Sequence, residues 1–195
     1  MKIALIRHGK TQGNIERQYI GSTDLPLAPS GRDELAELAA SGRYPKVDRV
    51  YASPMLRCLQ TAGIIYPGID PVPVPGLREC DFGIFEGKTH EVLIENEDYK
   101  SFLESGGNYA FPGGDSFEGF VGRCAQAFDG IIDDIIADGI NSSAVVCHGG
   151  SIMAIMSTFG EPPGKYYDWQ VQNGMGYIVR LVDNRKVTLV TKIDG

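Results

Sequence analysis

Lys2-Ile3-Ala4-Leu5-Ile6-Arg7-His8-Gly9 decides how the rest of the chain is read. It is a short apolar run of strand type, and it ends in Arg7-His8-Gly9. Two further strand candidates end in a comparable way. Val47-Asp48-Arg49-Val50-Tyr51 runs into Ala52-Ser53-Pro54-Met55-Leu56-Arg57, and Ser143-Ala144-Val145-Val146-Cys147 runs into His148-Gly149-Gly150. In open parallel sheets, ligands bind outside the carboxyl ends of the strands. If these three strands are parallel neighbours, His8, His148, Arg7 and Arg57 converge on one edge.

Helical patterns fall between the strands. Arg32 to Ala40 carries Leu35, Leu38 and Ala39 on one face. Met55 to Ile65 follows Pro54, placed at the helix start where a missing N–H is harmless. The longest predicted helix runs from Phe117 to Ala137, with Asp115 or Ser116 as its cap. Gly149 to Thr158 is a further short apolar helix. Near the C-terminus, Tyr177–Val182 and Val187–Val190 read as a hairpin turned by Asp183-Asn184-Arg185-Lys186. Alternation of this kind predicts an α/β three-layer sandwich with helices on both faces of the sheet. The chain has 195 residues and contains no internal repeat or long linker, so a single domain over 1–195 is expected.

Composition narrows the function. At 43% hydrophobic and 22% charged, the chain can bury a core. No apolar run approaches the roughly 20 residues of a membrane helix, and no leader pattern opens the sequence. The expected location is cytoplasmic, with no membrane partner. A net charge of -7 argues against nucleic acid, which requires a basic face. The four cysteines, Cys58, Cys80, Cys124 and Cys147, form no C-x-x-C pair and are expected as buried free thiols. Hydrophobic residues near Trp169 are candidate contacts for a homodimer.

The chain holds three histidines. His8 and His148 are each followed by glycine at a strand end, where the backbone can approach a ligand closely. His90, after Gly87-Lys88-Thr89, reads as a surface residue. Two arginines beside two histidines suit a phosphoryl group, because guanidinium matches its oxygens in bidentate geometry and stays charged. Asn14 can donate an amide hydrogen bond to the same oxygens. The amides of Gly149-Gly150 open a helix, a natural anion site. Competing motifs fail. The glycine that a phosphate-cradling loop needs ahead of Gly87-Lys88-Thr89 is Phe82. Gly149-Gly150-Ser151-Ile152-Met153 lacks the last glycine of a nucleophile elbow. Where a cysteine-dependent phosphatase would carry its arginine stand Ile64, Glu86, Gly130 and Met153. Zinc signatures are absent. The expectation is a histidine nucleophile with neither metal nor cofactor, acting on a small-molecule phosphate ester.

Several blocks carry a family resemblance. Arg7-His8-Gly9-Lys10-Thr11-Gln12-Gly13-Asn14 resembles the R-H-G-x-T-x-x-N opening of the histidine phosphatase superfamily, the phosphoglycerate mutase-like family. Gly21-Ser22-Thr23-Asp24-Leu25-Pro26-Leu27 is similar to its next block. Tyr51–Ala62, Leu77–Gly87 and Cys147–Gly150 resemble the three that follow, in the family's order. The resemblance implies a mixed, mostly parallel sheet of about six strands. It implies that His8 attacks phosphorus, and that Arg7, Arg57 and His148 form the phosphate pocket with Asn14. Thr11, Gly21, Ser22 and Gly149 fall in the same substrate-binding blocks. Glu79 is the implied acid for the leaving oxygen.

Physical requirements add detail. His8 must be neutral to attack, neighbouring arginines favour that state, and its other ring nitrogen needs a fixed acceptor, expected to be a backbone carbonyl. His148 is expected protonated, as a donor. Glu79 needs a raised pKa. Lys10 stands where the family often has an acidic residue and is a candidate for a second anionic group of the substrate; Asp115 stands where Glu is common. The segment Leu77–Arg123 is most similar to the α-ribazole phosphatases of cobalamin synthesis. Its Phe82, Phe85, Tyr99, Phe102, Tyr109 and Phe111 are candidates to stack on a base or to pack a core. Phosphoglycerate mutase and a non-catalytic phospho-ligand binder remain as alternatives.

Overall fold

The computed structural model describes residues 1–106 and 108–194. In chain order the elements are β1 (Lys2–Arg7), α1 (Gln12–Ile15), α2 (Pro29–Ala40), β2 (Arg49–Ala52), α3 (Leu56–Ile65), β3 (Val72–Pro73), α4 (His90–Leu93), α5 (Glu97–Glu104), α6 (Phe117–Ala137), β4 (Ser142–Cys147), α7 (Gly149–Phe159), β5 (Gly160–Glu161), β6 (Gly176–Leu181) and β7 (Val187–Ile193). The strands form one sheet of order β3-β2-β4-β1-β6-β7-β5. β1, β2 and β3 run parallel with β4, while β6 is antiparallel to β1 and to β7. This is the mixed α/β sheet that the sequence predicts. Among the described residues it has seven strands rather than about six, because β3 and β5 are two-residue strands too short to leave a pattern.

Side chains alternate across a strand, and β1 uses both faces. Ile3 and Leu5 pack with Phe128, Ile131, Ile132 and Ile135 of α6 and with Ile152, Ile155 and Met156 of α7. Ala4 and Ile6 pack on the opposite face with Leu35 of α2 and Cys58, Ala62 and Ile65 of α3. A third cluster joins Phe85, Tyr99, Phe111 and Phe120 beside the main sheet. The central strands are buried on both faces, which explains their near-continuous apolar sequence.

Local chemistry sets the helix ends. Ser116 caps α6 by accepting from the Gly119 amide. Asp115, the other candidate, instead accepts from Arg123 and from the Asp81 amide. Met55 is the N-cap of α3, so Pro54 lies before the helix rather than inside its first turn. The helix predicted from Arg32 begins earlier, with Pro29 in its first turn. Trp169 is half-buried and packs edge-on against Tyr177 with ring centroids 5.7 Å apart, while Tyr167 beside it is exposed. All four cysteines are buried free thiols. Among the described residues no helix is long and apolar enough to cross a membrane.

Candidate active site

β2, β4 and β1 are parallel neighbours, so their carboxyl ends share one edge. Arg7 pairs with Cys147 across β1 and β4, which puts His8 and His148 level, each one residue beyond the strands. Their rings lie 5.2 Å apart, edge to face. The structure therefore brings the two histidines together as the strand ends imply. Arg57 joins them from the first turn of α3 and is fully buried, at 0% exposure.

His8 Nδ1 lies 2.7 Å from the Gly9 carbonyl oxygen. A carbonyl only accepts, so Nδ1 carries the proton and Nε2 keeps its lone pair. Burial, then Arg57, then Arg7 push the His8 pKa well below its ordinary value. Among the described residues the Arg7 Nε is buried with no hydrogen-bond partner, while its NH1 donates to the Val171 carbonyl at 2.8 Å. Arg57 donates to the carbonyls of Thr23 (2.9 Å) and Gly21 (2.8 Å), and its Nε donates to His148 Nδ1 (3.2 Å).

That last bond corrects one expectation. Arg57 has no acceptor atom, so His148 Nδ1 must be unprotonated. Burial and the positive charge of Arg57 hold His148 well below its ordinary pKa. His148 is neutral, and its Nε2 lies 2.9 Å from Ser53 Oγ. Glu79 behaves as expected: burial raises its pKa, against the opposing hydrogen bonds of the Cys80 and Gly150 amides.

The other residues singled out from sequence divide. Asn14 is drawn to the site, its Oδ1 accepting from Thr11 and from Asn173. The Thr11 hydroxyl is used within α1, donating to Asn14 Oδ1 and capping the Asn14 amide. The amides of Gly21 and Ser22 are both taken by Glu86. Gly149 opens α7 beside Arg7, while the next amide, of Gly150, is held by Glu79. Lys10 is paired with Glu34 at 2.8 Å on the surface. His90 is exposed and bonded to the Tyr99 hydroxyl at 2.9 Å. Sequence reasoning missed Ser53, Glu86 and Asn173. Ser53 lies within the Tyr51–Ala62 stretch, but a serine before proline also reads as an ordinary turn residue.

Arg7, Asn14, Glu79, Gly149 and Gly150 line a cleft of about 270 Å³. An apolar pocket of about 270 Å³ adjoins it, walled by Phe82, Phe102, Phe111, Phe117, Met153 and Tyr166. Tyr19, Glu79, Phe82, Gly150 and Met153 line both. The profile of the histidine phosphatase superfamily (branch 1) matches residues 3–194. The chain belongs to that superfamily. It is 29% identical over 195 residues to phosphoglycerate mutase-like protein 4 of Arabidopsis thaliana, covering 96% of this chain and 83% of that protein. It is 27% identical over 179 residues to the adenosylcobalamin/alpha-ribazole phosphatase of Salmonella typhimurium, covering 89% of this chain and 87% of that one. The crystal structure of the alpha-ribazole phosphatase from Shigella flexneri superposes with a TM-score of 0.86 at 22% identity, over 100% of this chain and 96% of that chain, which establishes the shared fold.

Proposed function

We propose that the chain is a metal-independent phosphomonoesterase that passes the phosphoryl group through His8. The observation that carries this reading is the pinned imidazole: Nδ1–H is fixed on the Gly9 carbonyl, with the buried Arg57 and the half-buried Arg7 close enough to disfavour a positive ring. In the first step the His8 Nε2 lone pair forms a bond to phosphorus. The ester P–O bond breaks, and the Glu79 carboxyl gives its proton to the leaving oxygen. Arg7, Arg57, Asn14 and the Gly149 amide hold the remaining phosphoryl oxygens. In the second step water attacks phosphorus and the N–P bond breaks. The Glu79 carboxylate takes the water's proton, and inorganic phosphate leaves. The neutral His148 orients Arg57 through Nδ1.

The apolar pocket beside Glu79 supports a leaving group with a planar aromatic part, and α-ribazole 5′-phosphate is the proposed substrate. Phosphoglycerate offers a carboxylate instead, for which that pocket provides aromatic walls. The test is phosphate release in EDTA from α-ribazole phosphate, phosphoglycerates and an aryl phosphate, compared with His8→Ala. Release that vanishes in the variant is the expected result. Interconversion of phosphoglycerates without release would replace the reading with a mutase.

A further inference from the structure

Glu86 lies outside the chemistry above, yet three consecutive amides point at its carboxylate. Oε1 accepts from the amides of Gly21 (2.9 Å), Ser22 (2.9 Å) and Phe82 (3.1 Å). Oε2 accepts from the Thr23 amide (3.3 Å) and the Thr23 hydroxyl (2.7 Å). The carbonyls of the same loop serve Arg57, through Gly21 at 2.8 Å and Thr23 at 2.9 Å. One loop therefore presents its N–H groups to an anion and its C=O groups to a cation.

The Gly21–Ser22 peptide unit is shared between the two. Its carbonyl accepts from the Arg57 guanidinium, and its N–H donates to Glu86. Both hydrogen bonds are charge-assisted, and bonds in such a chain polarise one another. The spacer has a chemical consequence. A carboxylate in direct contact with Arg57 would neutralise the charge an incoming phosphoryl group needs, whereas one a peptide away anchors it without pairing with it. The loop is seated tightly: a Cβ on Gly21 would come within 1.7 Å of the Cys80 carbonyl oxygen, so only glycine fits.

We propose that Glu86 is a positioning residue that, through the Gly21–Ser22 peptide, fixes the Arg57 guanidinium in the orientation that receives the phosphoryl group. The inference rests on the phosphoryl-transfer reading of the site. It is tested by titrating inorganic phosphate calorimetrically into wild type, Glu86→Gln, Arg57→Ala and the double variant, with ester hydrolysis measured in parallel. Glu86→Gln is expected to weaken phosphate binding about tenfold, and to weaken it no further on the Arg57→Ala background. A merely structural role would lower the folded fraction and leave the affinity of the folded molecules unchanged.

Wild-type affinity in Glu86→Gln, or the same weakening on both backgrounds, would overturn the proposal, as would failure of the wild type to bind phosphate. If Glu86→Gln does not fold, Gly21→Ala keeps Glu86 and displaces the loop; it must weaken phosphate binding comparably, and unchanged binding would overturn the proposal. The two readings fail separately. A wild type that binds phosphate through this clamp and hydrolyses no ester removes the phosphatase and keeps the clamp. A wild type that hydrolyses esters, with Glu86→Gln unaltered, removes the clamp alone.

Discussion

Replacing Glu79 by Gln removes a proton and keeps the shape. The two carboxylate oxygens accept from the Cys80 and Gly150 amides, each at 3.0 Å. A carboxamide has one oxygen, so one amide would face an NH2 group. A buried donor left unpaired costs about 1–3 kcal/mol. Glu79 is only partly buried, so about 1 kcal/mol applies, roughly 2–4 °C in Tm for a chain of this size. The chemical loss is larger. A general acid contributes about 10²–10⁴-fold, or roughly 2.7–5.4 kcal/mol at ~1.36 kcal/mol per tenfold. The assay is single-turnover burst kinetics, which isolates phosphohistidine formation from its hydrolysis. With an alkyl phosphate the leaving alkoxide needs its proton, and Glu79→Gln should lose about 10²–10⁴-fold. With p-nitrophenyl phosphate the phenolate leaves unaided, and the burst should stay close to wild type. Equal slowing of both bursts would refute the assignment of Glu79 as acid and leave it only a placing role.

Other expectations follow from the same geometry. Burial raises the Glu79 pKa, so its acid form is lost as pH rises through that value; the alkaline limb of kcat/KM for alkyl esters should disappear in Glu79→Gln. Burial and the arginines hold His8 and His148 well below their ordinary 6.5, so the stability they confer is fully present above that pH. It should fall as pH drops below ~6.5, by about 1.4 kcal/mol per pH unit for each histidine. Urea midpoints against pH would measure this, and an unchanged slope in His148→Asn would count against it. Ser53→Ala leaves the buried His148 Nε2–H with only the weak acceptor Cys58 Sγ at 3.5 Å and should cost about 1 kcal/mol, read by thermal melting together with slower turnover. Phe82→Ala opens the wall shared by the two pockets. It should raise KM for α-ribazole phosphate and aryl esters about tenfold, the equivalent of ~1.4 kcal/mol, and leave esters without an aromatic group unchanged.

The strand ends were legible because each central strand is apolar until it stops, and a polar residue at its end has nowhere to go but the sheet edge. Ile3 to Ile6 are buried on both faces, and the first residues that break the pattern are Arg7 and His8. The long α6 was legible for a related reason, since its apolar residues recur on one face and a serine caps it. β3 and β5 were not, because two residues hold no period. The aromatic segment was half legible. Its rings do pack on one another, as Phe85 on Tyr109 with centroids 6.4 Å apart. Only three dimensions reveal that the same cluster walls a pocket beside Glu79.

The protonation state of His148 is not legible in the sequence, for a deeper reason. Sequence counts charges, and a histidine expected near a phosphate looks as if it should be positive. The structure adds the direction of hydrogen bonds. Among the described residues neither Arg7 nor Arg57 forms an ion pair with a carboxylate; they rest on the carbonyls of Val171, Gly21 and Thr23 and on the His148 ring. Neutral acceptors satisfy their N–H groups without cancelling their charge. Burial first, and then the two guanidinium groups, make a third cation expensive, so both imidazoles stay neutral. This local concentration of positive charge also answers the net charge of -7. The field of the whole molecule weakly repels a phosphate ester, while a buried site of low dielectric makes the two nearby arginines count for more than many distant, solvent-screened carboxylates. Neutral anchoring succeeds only if the carbonyls cannot turn away, and the residues that hold them, Glu86 foremost, carry no signal that a list of catalytic residue types would find.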